Sequence, residues 1–237
     1  MKQSNDRIFT SSRRVRVSDC DQEGKVRIDA IARYLQDIGF DDTNDIGVGD
    51  GGLWVARKIE IEFPDTSSWP KRNEMIKLET YCGGVGGASA ERIVKISSGK
   101  EEIVASTIWV HVDRNGKPDK VPGWLSTAYP KAKKIKAPKS GKSESDFSGA
   151  KKIRFPIRQS DFDVNGHVNN AVSFVALNEA GAEIGASAPL ELEVQYLSPI
   201  SNTENIELLI EQNDNGFEAR LISDNTIACS MKWISTT

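Results

Sequence analysis

Asp19-Cys20-Asp21-Gln22-Glu23-Gly24-Lys25-Val26 returns 142 residues further along as Asp161-Phe162-Asp163-Val164-Asn165-Gly166-His167-Val168. Four of the eight positions are identical, and the match continues without a gap to Leu35 and Gly39, which reappear as Leu177 and Gly181. Self-similarity at a fixed offset means one structural unit built twice. Each copy then runs into a strand-like segment that stops at a proline: 54–63 before Pro64, and 190–198 before Pro199. Element order therefore repeats along with the residues.

Downstream of the first motif, Ile28, Ile31, Ala32, Leu35 and Ile38 fall on one face of an amphipathic helix, with Asp29, Arg33, Gln36 and Asp37 opposite. The second helix is expected over 168–184. Ala171, Val172, Phe174, Val175, Ala176, Leu177 and Ala180 make it apolar nearly all round, the mark of a helix enclosed by protein. Strand patterns follow each helix, at 75–81, 92–97 and 103–112, then at 206–211, 218–222 and 227–234, with Asn-, Asp- and Gly-rich turns between them. Helix first and meandering strands after is an α+β order, satisfied by a helix lying against an antiparallel sheet. The first copy spans 1–130 and the second 150–237. Between them, 131–149 is rich in Lys, Ser, Pro and Gly and poor in apolar side chains, and reads as a linker.

Of the 237 residues, 38% are hydrophobic and 27% charged, a soluble globular balance. A net charge of −3 argues against a general nucleic-acid binder, which would carry a dominant basic field. Cys20, Cys82 and Cys229 are odd in number, widely spaced and free of any CxxC pair, so neither a disulfide framework nor a metal site is expected. No stretch approaches the roughly 20 apolar residues of a membrane span, and the opening residues lack the apolar core of a signal peptide. A cytoplasmic protein is the expectation.

The chain has two histidines. His111 sits in a strand-like alternation and is expected on a strand surface. His167 stands with Asp163 and Asn165 where the second helix should begin. An imidazole, a carboxylate and an amide at a helix N-terminus offer general acid–base groups and hydrogen-bond donors for a developing oxyanion. Asp163 or Asn165 could equally cap the helix, but capping has no use for an imidazole. The first copy keeps Asp21 but has Glu23 and Lys25 in place of the amide and the imidazole, so Asp21 is expected to serve a turn or cap.

The segment from Asp161 to Asn170 resembles the D-x-D-x-N-x-H-x-x-N motif of plant and bacterial acyl-acyl carrier protein (acyl-ACP) thioesterases. The segments 27–37 and 109–113 resemble stretches of bacterial members. That resemblance implies a tandem (double) hotdog fold, each half an antiparallel sheet wrapped around a helix. It implies Asp163, Asn165 and His167 as the catalytic set, an acyl-chain pocket in the first half, no metal and no organic cofactor. The family's Glu-Cys pair on the following strand falls at Gln195 and Tyr196. With no cysteine at that position, direct attack by water is favoured over a thiolate nucleophile. Asp163 and His167 would deprotonate the water, Asn165 and a helix-start amide would hold the carbonyl oxygen, and Gln195 would position the water.

Gly166 and Trp54 are the expected substrate contacts. Carrier proteins in this system are acidic, so the basic stretch that includes Lys133, Lys134 and Lys136 is a candidate docking patch, or else a solvated linker. The expected reaction releases a free fatty acid from acyl-ACP in fatty-acid biosynthesis. The alternatives are the same hydrolysis on acyl-CoA and a non-catalytic acyl- or carrier-binding module. Two copies in one chain make a pseudo-dimer, monomeric or further dimerised.

Overall fold

The computed structural model describes residues 7–48, 52–64, 69–136, 146–200 and 205–235. Its first half contains β1 (Phe9–Arg14), α1 (Ile28–Ile46), β2 (Leu53–Glu62), β3 (Met75–Gly86), β4 (Ser89–Ser97), β5 (Glu102–Val112) and α2 (Gly123–Ala128). After β6 (Lys133–Lys134), the second half contains β7 (Lys151–Arg154), α3 (Val172–Ile184), β8 (Pro189–Tyr196), β9 (Ile206–Asn213), β10 (Gly216–Ser223) and β11 (Thr226–Ser235).

All these strands join one sheet in the order β1-β3-β4-β5-β2-β8-β11-β10-β9-β7, with β6 added beside β3. Read from its two edges, the sheet has the same order twice, β7 to β11 standing in for β1 to β5. The halves are joined at the centre by antiparallel pairing of β2 with β8, from Lys58 opposite Gln195 to Glu62 opposite Glu191. One sheet face carries both long helices, which pack against each other. This is the double hotdog fold.

The core follows strand parity. Leu192 and Val194 of β8, Leu208 and Ile210 of β9, and Phe217, Ala219 and Leu221 of β10 are buried against α3, whose Phe174 and Leu177 are fully enclosed. Each of these side chains larger than alanine contributes about 1.5–3 kcal/mol through burial. In α1 the buried set Ile28, Ile31, Ala32, Leu35 and Ile38 matches the expected apolar face.

Some details differ from expectation. Asp29 is buried rather than solvated. Arg27 Nε donates to its Oδ1 at 2.8 Å and Arg33 Nη1 to its Oδ2 at 2.5 Å, so the charge enters the interior already paired. α3 begins at Val172, four residues later than the apolar run suggested, and leaves Asn178, Glu179 and Glu183 exposed. The short edge strands β1 and β7 and the helix α2 add to the elements expected from sequence. The basic segment is partly structured: Lys133 and Lys134 pair in parallel with Gly84 and Val85, and Phe147 stacks under Arg220 at 3.9 Å. Residues 137–145, which contain Lys139 and Lys142, lie outside the described residues.

Candidate active site

The two motif copies form the same turn. Asp163 N–H donates to the His167 carbonyl at 2.8 Å and Gly166 N–H to the Asp163 carbonyl at 3.1 Å, with Gly166 at φ +75°, a left-handed conformation that favours glycine. The Asp163 carboxylate holds the turn from inside: Oδ1 accepts the amides of Asn165 at 2.8 Å and His167 at 3.2 Å, and Asn165 Nδ2 lies 3.5 Å from Oδ2. Asp21 does the same in the first copy, accepting Glu23 N–H and Lys25 N–H at 2.9 Å each, with Gly24 at φ +79°. Asp21 is therefore a turn-holding residue.

Asn169 carries the chain from this turn into α3. Its Oδ1 accepts the amide of Ala171 at 2.8 Å, and its own amide donates to the Asp161 carbonyl at 2.8 Å. The amides of Val172 and Ser173 are already bonded to the carbonyls of Asn169 and Asn170, at 2.9 and 3.3 Å. So the imidazole-bearing loop precedes the helix instead of forming its first turn, and Asn169 holds the amide of Ala171, the residue from which the helix starts. Those first amides have protein partners, which takes them out of the expected role at a substrate carbonyl. The Tyr196 hydroxyl reaches up from β8, donating to the Asn170 carbonyl at 2.8 Å and lying 2.9 Å from Ser173 Oγ. Burial raises the Tyr196 pKa well above the usual phenol value, so this hydroxyl stays protonated and acts as a strut.

A pocket of about 350 Å³ opens beside the turn and is shared by both halves. Asp163, Asn165, Asn169 and Asn170 line it from the second half; Gln36 and Phe40 of α1, Trp54 and Trp109 of the sheet, and Trp124 and Leu125 of α2 line it from the first. Gln36 Nε2 donates to Asn169 Oδ1 at 3.1 Å and ties the segment between this turn and α3 to α1. Deeper in, Arg92 and Tyr129 complete the wall, with burial pushing the Tyr129 hydroxyl up to about 12. Asn169, Asn170 and Arg92 join the site beyond the residues expected from sequence. The two asparagines end the motif already quoted, while Arg92 had no local signal.

Asp163, Asn165 and Trp54 thus meet at one cavity. Gly166 and His167 are exposed on the same turn and do not line it. Gln195 lies elsewhere. Val194 is buried toward the helices and Gln195, next along the strand, points to the opposite face, where its Nε2 donates to Glu193 Oε1 at 2.7 Å. Despite its burial, the Glu193 carboxyl is held below its ordinary value by Gln195 and by Lys58, whose Nζ sits 3.1 Å from Oε2. A water-positioning role for Gln195 has no geometric support. His111, expected on the surface, packs against Trp54 with ring centroids 5.1 Å apart and its Nδ1 buried. Lys133, Lys134 and Lys136 are exposed at the end of the first half.

Two family models match the sequence, one in each half. Residues 6–123 match the acyl-ACP thioesterase N-terminal domain and residues 144–233 the acyl-ACP thioesterase C-terminal domain. The chain belongs to the acyl-ACP thioesterase family. As a member of that family it is a thioester hydrolase. Solved relatives share the fold across nearly the full length. An acyl-ACP thioesterase of Bacteroides thetaiotaomicron has a TM-score of 0.78 at 19% identity, covering 96% of this chain and 97% of that one. The 12:0-ACP thioesterase of Umbellularia californica has a TM-score of 0.75 at 14% identity, covering 94% and 92%. An uncharacterized protein of Mycobacterium tuberculosis is 23% identical over 217 residues, 88% of this chain and 84% of that one. For this acyl-ACP thioesterase family member, the question is which groups act and on which carrier.

Proposed function

We propose that the protein hydrolyses fatty acyl-ACP to a free fatty acid and the carrier thiol, with the scissile carbonyl at Asp163 and Asn165 and the acyl tail in the first half. The observation that carries this reading is the shared cavity: the carboxylate and amide of the second copy stand at one end of a pocket walled by Trp54, Trp109 and Leu125 of the first. Apolar walls meeting a few convergent polar groups are the usual form of a small-molecule site.

The chemistry follows from the groups at that end. With Oδ1 occupied by two backbone amides, Asp163 offers Oδ2 to a water molecule, orients it and takes its proton as the oxygen attacks the carbonyl carbon. Asn165 Nδ2 and the side-chain amide of Asn170 supply donors for the tetrahedral oxyanion. When the intermediate collapses, the C–S bond breaks, and His167 on the exposed rim protonates the departing thiolate. A thiolate nucleophile has little support: Cys82 lines the pocket, but burial pushes its thiol up to about 11, and burial pushes Cys229 up to about 12.

The test is hydrolysis of one acyl chain presented on ACP and on CoA, followed by thiol release. Turnover that favours ACP and falls at least about 100-fold in Asp163→Ala and His167→Ala, with the fold intact, supports the reading. Preference for CoA would transfer the assignment to an acyl-CoA thioesterase, and tight binding without turnover would leave a binding module.

A further inference from the structure

The polar groups deep in the pocket take no part in the hydrolysis derived above. At the mouth, Gln36 is bonded to Asn169. Thr43, which also lines the pocket, lies two turns further along α1, about 10 Å away at 1.5 Å per residue. Arg92 crosses this deeper part from β4. Its side chain lies over Gly39, where a Cβ would come within 3.3 Å of Arg92 Cδ and 3.4 Å of Nε, so glycine at 39 lets the guanidinium lie flat against the helix.

Among the described residues, Arg92 is anchored through Nη1, on the side of Asp42 and Tyr129. Nη1 donates to Asp42 Oδ2 at 2.7 Å and to Thr80 Oγ1 at 3.1 Å. Asp42 is completely buried and also accepts Arg7 Nε at 2.9 Å and the Tyr129 hydroxyl. A guanidinium has five N–H donors; both anchoring bonds fall on Nη1, and among the described residues Nε and Nη2 have no hydrogen-bond partner, so the arm of Arg92 that lines the pocket beside Gly39 retains donor capacity. The charges close on themselves, since Arg7 and Arg92 face Asp42 and Asp45. The local field therefore favours a neutral acceptor over a second carboxylate. An alkyl end pressed against these donors would strip their water and replace none of the bonds, whereas an oxygen there would accept them.

We propose that Arg92 is a specificity-determining residue that selects acyl chains bearing a neutral oxygen, a hydroxyl or keto group, toward the end remote from the thioester. This rests on the assignment of the pocket to the acyl chain. Non-hydrolysable amide analogues of acyl-pantetheine test it by binding calorimetry without requiring turnover. The ω-hydroxyoctanoyl and nonanoyl amides have equal numbers of heavy atoms, and the hydroxylated one should bind roughly tenfold more tightly. In the double variant Arg92→Leu/Asp42→Asn, which removes both charges together, the preference should reverse. Gly39→Ala, a smaller perturbation that displaces the guanidinium by a few tenths of an ångström, should weaken the preference if the double variant fails to fold. Equal binding of the two amides by the unmodified protein, or a preference that survives both variants, overturns the proposal. Failure of every acyl thioester to turn over, with the hydroxyl preference intact, would instead strike at the hydrolytic reading alone.

Discussion

At the scale of single residues, Tyr196 and Gln195 exchange the importance that their order along β8 suggests. Tyr196 occupies the position of the family's cysteine, and its hydroxyl supports the Asn170 carbonyl beside the pocket. Tyr196→Phe removes that bond and the contact with Ser173, and should cost about 1–2 kcal/mol in denaturant unfolding while lowering kcat through the loosened asparagine. Gln195 stands on the opposite face, bonded to Glu193. Gln195→Glu restores the family residue but places a second carboxylate against Glu193. No gain in kcat is expected. Stability at pH 7 should drop by about 0.5–1 kcal/mol, and the deficit should close near pH 4 as one of the two carboxyls takes up a proton. A rise in kcat in this variant would return Gln195 to the water-positioning role.

At the scale of elements, the ion cluster at the start of α1 makes a pH-dependent contribution. Burial alone would raise the Asp29 carboxyl, but bonds from Arg27 and Arg33 outweigh it and hold the group below its ordinary value. A carboxyl depressed in the folded state stabilises at pH values above the unfolded pKa near 4, and that contribution is lost as pH falls through the folded pKa. Asp29→Asn should therefore cost about 2 kcal/mol at pH 7, with the gap from the unmodified protein shrinking below about pH 4 in urea titrations.

The same helix shows why some elements were legible from sequence and others were not. The apolar stripe from Ile28 to Ile38 needs only helical periodicity, so the element and its inward face could be read directly. The burial of Asp29 depends on Arg27 and Arg33 folding over it, a three-residue arrangement that periodicity assigns to solvent. α3 starts late because the chain up to His167 is closed into a turn around Asp163, and Asn169 Oδ1 holds the Ala171 amide just ahead of the helix. The edge strands β1 and β7 end in charged residues, Arg13-Arg14 and Lys151-Lys152 to Arg154, and show no apolar run. Gln195 is the instructive miss: the alternation Leu192, Val194 against Glu191, Glu193 already placed it on the outer face, and motif alignment overrode strand parity.

At the scale of the whole molecule, two copies in one chain are able to diverge. The second turn keeps the amide and imidazole, while the first half gives its space to the pocket and carries, at its end, the exposed lysines of β6 and the residues around it. The chain is acidic overall, so this basic group is a local exception suited to an acidic carrier, and it would act chiefly on encounter. Replacing Lys131, Lys133, Lys134 and Lys136 with glutamate should raise the apparent KM for acyl-ACP roughly tenfold at low ionic strength and leave kcat nearly unchanged. The difference should fade at about 1 M salt, where the screening length is near 3 Å. The same variant should hydrolyse an acyl-pantetheine lacking the carrier as fast as the unmodified protein, because the lysines lie outside the pocket. A KM for acyl-ACP that is unmoved at any salt concentration would reduce these lysines to the solvated end of a linker.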